Sequence, residues 1–84
     1  MIMKELQLFI DNVLDNFTTK KITSKEIFKD FVSYVYFTID NKINSTKKES
    51  IKNKYIKIRQ SVIRYIVANE KAITSEICRN QKNK

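Results

Sequence analysis

Apolar residues recur along this chain at the spacing of an α-helix. At about 100° per residue, Ile2, Met3, Leu6, Phe9, Ile10, Val13, Leu14 and Phe17 gather on one side of a cylinder, and Lys4, Glu5, Asp11 and Asp15 fall off it. The spacing predicts an amphipathic helix over Ile2–Phe17 with one face for a core. Leu8 alone is apolar on the wet side. Thr18–Ile22 reads as a joint. Thr23-Ser24-Lys25-Glu26 then has the form of a capping box, in which the Thr hydroxyl bonds the Glu amide and the Glu carboxylate returns to the Thr amide. Ile22 and Ile27 occupy the hydrophobic-staple positions around it.

The second helix is expected to run to about Asp40. Ile27, Phe28, Phe31, Val32, Val35 and Ile39 cover one broad face, and Tyr34, Tyr36 and Phe37 extend apolar surface around most of the rest. A helix apolar nearly all round is either wrapped by its neighbours or meets another chain, so a homodimer seam is a second solution. Asn41–Ser45 reads as the next joint, followed by a second capping-box pattern, Thr46-Lys47-Lys48-Glu49. In the third segment, Ile51, Tyr55, Ile58, Val62, Tyr65, Ile66, Ile73 and Ile77 keep one stripe. Ile56, Ile63 and Val67 form a narrower stripe about 120° away. This segment is either one helix from Thr46 to Arg79 or two that bend near Ala68–Lys71, the second over Thr74–Asn80. The expected architecture is therefore an all-α antiparallel bundle of three helices, or four, in one domain over residues 1–80, with a frayed basic tail over 81–84.

Composition narrows what such a bundle does. The 84 residues contain no Gly, no Pro and no His. Without Gly, left-handed turns fall to Asn or Asp and tight hairpins are disfavoured, and phosphate-binding loops and dinucleotide-binding turns are ruled out as motifs. Without His, the commonest general base and metal ligand is missing, and one cysteine, Cys78, makes neither a disulfide within the chain nor a zinc site. Asp11 and Asp15 pair at i,i+4 but on the solvated face. The expectation is a protein with no catalytic residues, cofactor or metal, which works by binding. A lone cysteine fits a reducing, cytoplasmic setting. The longest apolar stretch, Phe31 to Ile39, is far short of the roughly 20 residues that span a bilayer.

Net charge is +8. It is uneven: residues 1–17 sum to −2, residues 18–54 to +5 and residues 55–84 to +5. Positive charge points to polyanions, yet 14 Lys, 13 Ile and 8 Asn against 3 Arg also match the codon bias of an AT-rich genome. Three partner classes follow. The first is protein, or a second copy of the chain, met through Tyr34, Tyr36, Phe37, Ile56, Ile63 and Val67, which supply more apolar surface than a three-helix core uses. The alternative is nucleic acid, its phosphates gripped by Lys47, Lys48, Lys52, Lys54, Lys57, Arg59 and Arg64. A membrane surface is the third, less favoured because no Trp is present to anchor it. Thr23–Ile27 resembles the opening of a helix-turn-helix reading helix, but the hydrophobic pattern runs on without the required turn.

Phe31-Val32-Ser33-Tyr34-Val35-Tyr36-Phe37-Thr38, Asn41-Lys42-Ile43, Glu49 and Ile51 together resemble the third-to-fourth helix region of class IIa (pediocin-like) bacteriocin immunity proteins. The resemblance covers about residues 31–51. It implies a small cytoplasmic antiparallel bundle that protects a producing cell by recognising a bacteriocin-bound sugar permease. The chain departs from that family in having one helix before this stretch instead of two, and a longer last segment. Ile22-Thr23-Ser24-Lys25 and Tyr55-Ile56-Lys57-Ile58-Arg59 also resemble the small helical subunit of type III CRISPR complexes, which implies contact with an RNA backbone. The reading favoured by the residues is protein contact, as an immunity-like protein or an inhibitor carried by a mobile element.

Overall fold

The computed structural model describes residues 2–82, with the side chains of residues 4–80. It contains four helices, α1 (Ile2–Asn16), α2 (Ser24–Ser45), α3 (Glu49–Ala68) and α4 (Glu70–Lys82), and among the described residues no strand. The expected all-α bundle is thus present in its four-helix form. The side chains of Ile2 and Met3, and an end loosened at residues 83–84, lie outside the described residues. Gln81 and Lys82 continue α4.

Each helix buries most of the stripe that defines it, though Ile51, in the first turn of α3, is 39% exposed. Leu6, Ile10, Val13 and Leu14 of α1 meet Ile27, Phe31, Val35 and Ile39 of α2, Ile58, Val62 and Ile66 of α3, and Ile73 and Ile77 of α4 in one cluster. Phe17, just past α1, joins them, its ring edge-on to Phe31 at 5.2 Å. Phe31, Val35, Ile39, Val62 and Ile66 are wholly buried. Each such side chain contributes about 1.5–3 kcal/mol relative to exposure. α2 touches all three other helices, which explains most of its broad apolar surface.

Helix ends depart from expectation in four places. Thr23 caps α2 as read, its Oγ1 accepting from the Glu26 N–H at 3.3 Å. Ile22, however, is 90% exposed while Ile27 is buried, so the staple is not formed. Thr19 supplies the tie instead, donating from Oγ1 to Asp30 Oδ2 at 2.5 Å across the joint. α2 runs through Asn41–Ser45 because Ile43 extends the Ile39 stripe onto the core, and nothing in those five residues forbids a helix. Thr46 is consequently the C-cap of α2 in extended conformation, and α3 opens after Lys48 with no side-chain cap. The second capping box is absent because Glu49 is the first helical residue, two positions too early for its role.

At the end of α3 the two-helix alternative is realised, with the break at Asn69 inside the expected Ala68–Lys71 bend, and only the start of α4 departs from expectation. Asn69, with φ of −117° and ψ of 25°, leaves helical geometry. Its N–H is shared between the carbonyls of Tyr65 (3.1 Å) and Ile66 (3.2 Å), and its side-chain amide donates to Tyr65 O at 2.8 Å. Asn competes for backbone carbonyls in this way more readily than an aliphatic residue. α4 therefore begins at Glu70, four residues before the expected Thr74, and reaches back to α1, where Asn80 Nδ2 donates to the Leu14 carbonyl at 3.4 Å. Urea unfolding followed by circular dichroism should show Ile39→Val and Ile66→Val each costing about 0.5–1.5 kcal/mol, and Ile22→Val less than about 0.5 kcal/mol.

Candidate interface on the outer face of the helical hairpin

α2 and α3 form an antiparallel hairpin with a three-residue connection, Thr46–Lys48. One ion pair marks its register, Arg59 Nη1 to Asp40 Oδ1 at 2.9 Å. Four residues back along α2 and four forward along α3, the antiparallel run sets Tyr36 level with Ile63. Three residues the other way, it sets Ile43 level with Ile56. The six residues expected to supply surplus apolar surface are thereby sorted. Ile56 and Tyr36 are half-buried along the seam, and Tyr36 packs on the core. Ile63 (37% exposed), Val67 (57%) and Phe37 (61%) stand out from it. Tyr34 is elsewhere. Its ring lies 5.3 Å from that of Phe17, and its carbonyl accepts from Thr38 Oγ1 at 2.9 Å, so it closes the corner between α1 and α2.

The geometry behind this division is simple. Phe37 sits about 140° around α2 from the centre of the Ile27–Phe31–Val35–Ile39 stripe, and Ile56, Ile63 and Val67 lie within about 40° of one another on α3. They emerge on the solvent side of a hairpin whose inner side is already filled. Arg59 and Asp40 bridge the seam between them with side chains 45% and 52% exposed. An ion pair that wet holds orientation more than it adds stability.

The seven basic residues of the alternative reading do not converge. Lys47 and Lys48 are exposed in the connection, Lys57 and Arg64 face outward from α3, and Lys52 is half-buried. Arg59 is held by Asp40. Lys54 lies against α1, in a shallow 210 Å³ cleft with Glu5, Leu8, Phe9, Asn12, Tyr55 and Ile58. At about 100° per residue they surround α3 instead of forming one strip.

A second cleft, of 390 Å³, lies where α1, α3 and α4 meet, lined among others by Asp11, Asp15, Tyr65, Asn69, Glu76 and Asn80. Periodicity exposed the Asp11–Asp15 pair, but Glu76 joins it only because the break at Asn69 redirects α4. Glu76 pairs with Arg79 at 3.0 Å. Among the described residues no three His, Cys, Asp or Glu side chains are set to hold a metal ion, and no helix is long and apolar enough to cross a membrane.

The molecule is elongated, 39 × 23 × 19 Å, with a radius of gyration of 13.1 Å, above the roughly 11.9 Å of a compact chain this long. It exposes 6181 Å², about 900 Å² more than an ordinary monomer of its mass. No protein-family model matches this chain, and no curated protein or solved structure is significantly similar to it. A double-mutant cycle on Asp40→Ala and Arg59→Ala, read by thermal or urea unfolding, should return a coupling below about 1 kcal/mol that shrinks in high salt.

Proposed function

We propose that the protein is a non-enzymatic binding module that acts by protein contact through the outer face of the α2–α3 hairpin. One observation carries this reading. Phe37, Ile63 and Val67 are exposed beside a core that is closed without them, Phe31, Val35, Ile39, Ile58, Val62 and Ile66 being 0–1% exposed. Leaving large apolar groups in water brings folding no benefit, and Ile63 and Val67, one turn apart on the same face of α3 as Ile56, make a contiguous apolar strip of the kind that marks an interface more often than scattered single residues do. The Arg59–Asp40 pair gives the same face a polar, oriented element, and Arg and aromatic residues are the types enriched at energetic centres of interfaces.

The resemblance of residues 31–51 to class IIa immunity proteins falls on this hairpin, from the middle of α2 into α3, and supplies one concrete setting for the reading: protection of a cell through contact with a membrane permease complex. Nucleic-acid binding is the weaker reading, because the basic residues are spread around α3 and one of them is already paired.

The test is Phe37→Glu/Ile63→Glu. Phe37 is well exposed and Ile63 partly so (37%), so melting temperature should fall by no more than the few degrees that about 1 kcal/mol produces. Partner capture from the source cells should be lost, as should any protection against a class IIa bacteriocin that the wild-type chain confers on a sensitive bacterium. Retention on duplex DNA, where present, should vanish by about 0.15 M salt in both proteins. Capture unchanged by the double substitution, or DNA binding that survives such salt, would overturn the reading.

A further inference from the structure

The outer stripe of α3 has the layout of a coiled-coil seam. Ile56 and Ile63 are seven residues apart, and Val67 follows at four. With the two isoleucines at d, Gln60 and Val67 take a, Lys57 and Arg64 take e, and Lys52, Arg59 and the buried core residue Ile66 take g. In two-stranded coiled coils the a and d residues form the apolar seam, and the e and g charges choose the partner. Here no acid occupies an e or g position from Lys52 to Ile66. One edge of the stripe carries Lys57 and Arg64, both exposed; the other carries half-buried Lys52 and the Asp40-bound Arg59. Across the seam, Tyr36 of α2 stands level with Ile63, half-buried against the core.

Building on the interface reading above, we propose that this stripe of α3 receives one amphipathic helix of a partner protein whose apolar stripe is flanked by acidic residues. Charge decides against the other occupants. A two-fold dimer sets each patch against its own copy, so Lys57 and Arg64 would meet like charges between molecules that each carry +8, and like-charged flanks are the standard device against self-pairing. An anionic bilayer would suit the charge but not Gln60, which interrupts the stripe at its centre. A polar a residue sets register against a facing helix, whereas a bilayer has no register to set. From Ile56 to Val67 the stripe is about 17 Å long, room for some three turns of a bound helix, the scale of other helix-in-groove complexes.

Three synthetic 21-residue peptides test this with the full chain: one with leucine at a and d and glutamate at e and g, a twin with lysine at e and g, and a scrambled glutamate peptide. Affinity is read by fluorescence anisotropy at 50 and 300 mM salt. The glutamate peptide should bind at least about tenfold more tightly than its lysine twin, the sum of a few attractive against repulsive surface pairs. Lys57→Glu/Arg64→Glu should reverse that order, and Ile63→Glu should abolish binding by both. Equal affinity for the two ordered peptides, lost in Ile63→Glu, would overturn the acidic partner while leaving the interface reading in place. Equal binding of the scrambled peptide, binding indifferent to Ile63→Glu, or no binding by any peptide would overturn the proposal. So would a sedimentation dimer that Ile63→Glu dissolves, or equal, Ile63-dependent binding to vesicles of phosphatidylglycerol.

Discussion

The inner packing of the α2–α3 hairpin is the contact on which everything else rests. Phe31, Val35 and Ile39 interlock with Ile58, Val62 and Ile66 so completely that all six are at or near zero exposure. A chain of 84 residues has little surface to bury and small net stability, so these few side chains supply a large share of it. α1 and α4 close the remaining sides, α1 through its single clean face and α4 through Ile73 and Ile77. With the inside filled by β-branched and aromatic side chains in fixed rotamers, the outer apolar residues have no route inward. Their exposure follows from the core being finished.

This gives α3 two faces with separate tasks. Its inner stripe makes the bundle, and its outer stripe, some 120° around the helix, is free to meet another molecule. The two share no side chain, so the outer face can change its charge or shape without loss of the fold. The Arg59–Asp40 pair lies on the boundary between them. Positive charge concentrated from residue 18 onward, against a net −2 in residues 1–17, gives the molecule a polarity that a neutral core could not supply.

Much of the fold was legible in the sequence because it rests on periodicity. The Leu6–Ile10–Val13–Leu14–Phe17 part of the α1 arc and the Ile27–Phe31–Val35–Ile39 and Ile58–Val62–Ile66 stripes are buried where their spacing puts them. What escaped was punctuation. In a chain without Gly or Pro, helix ends depend on side-chain competition and on tertiary contact, so α2 runs past Asp40 for the sake of Ile43. The break at Asn69 was readable only as one of two alternatives, because Ile66 and Ile73 are seven residues apart and keep the stripe in phase across it, and the start of α4 at Glu70 was missed. For the candidate site, Phe37, Ile63 and Val67 were readable as surplus. Tyr34 was not separable from them, because its contact with Phe17 depends on how the Thr18–Thr23 joint folds back. The acidic cleft was legible only as the Asp11–Asp15 pair, since the position of Glu76 is set by that same break.

The division of α3 into a structural and a free face is tested most directly by native-state hydrogen exchange on the chain and on a variant with Glu at 37, 63 and 67. The account expects the amides of Val35, Ile39, Val62 and Ile66 to exchange only through global unfolding, with protection matched in the two proteins to within a factor of a few. A collapse of protection along α2 and α3 in the variant would show that the outer residues hold the bundle together, and would contradict the account.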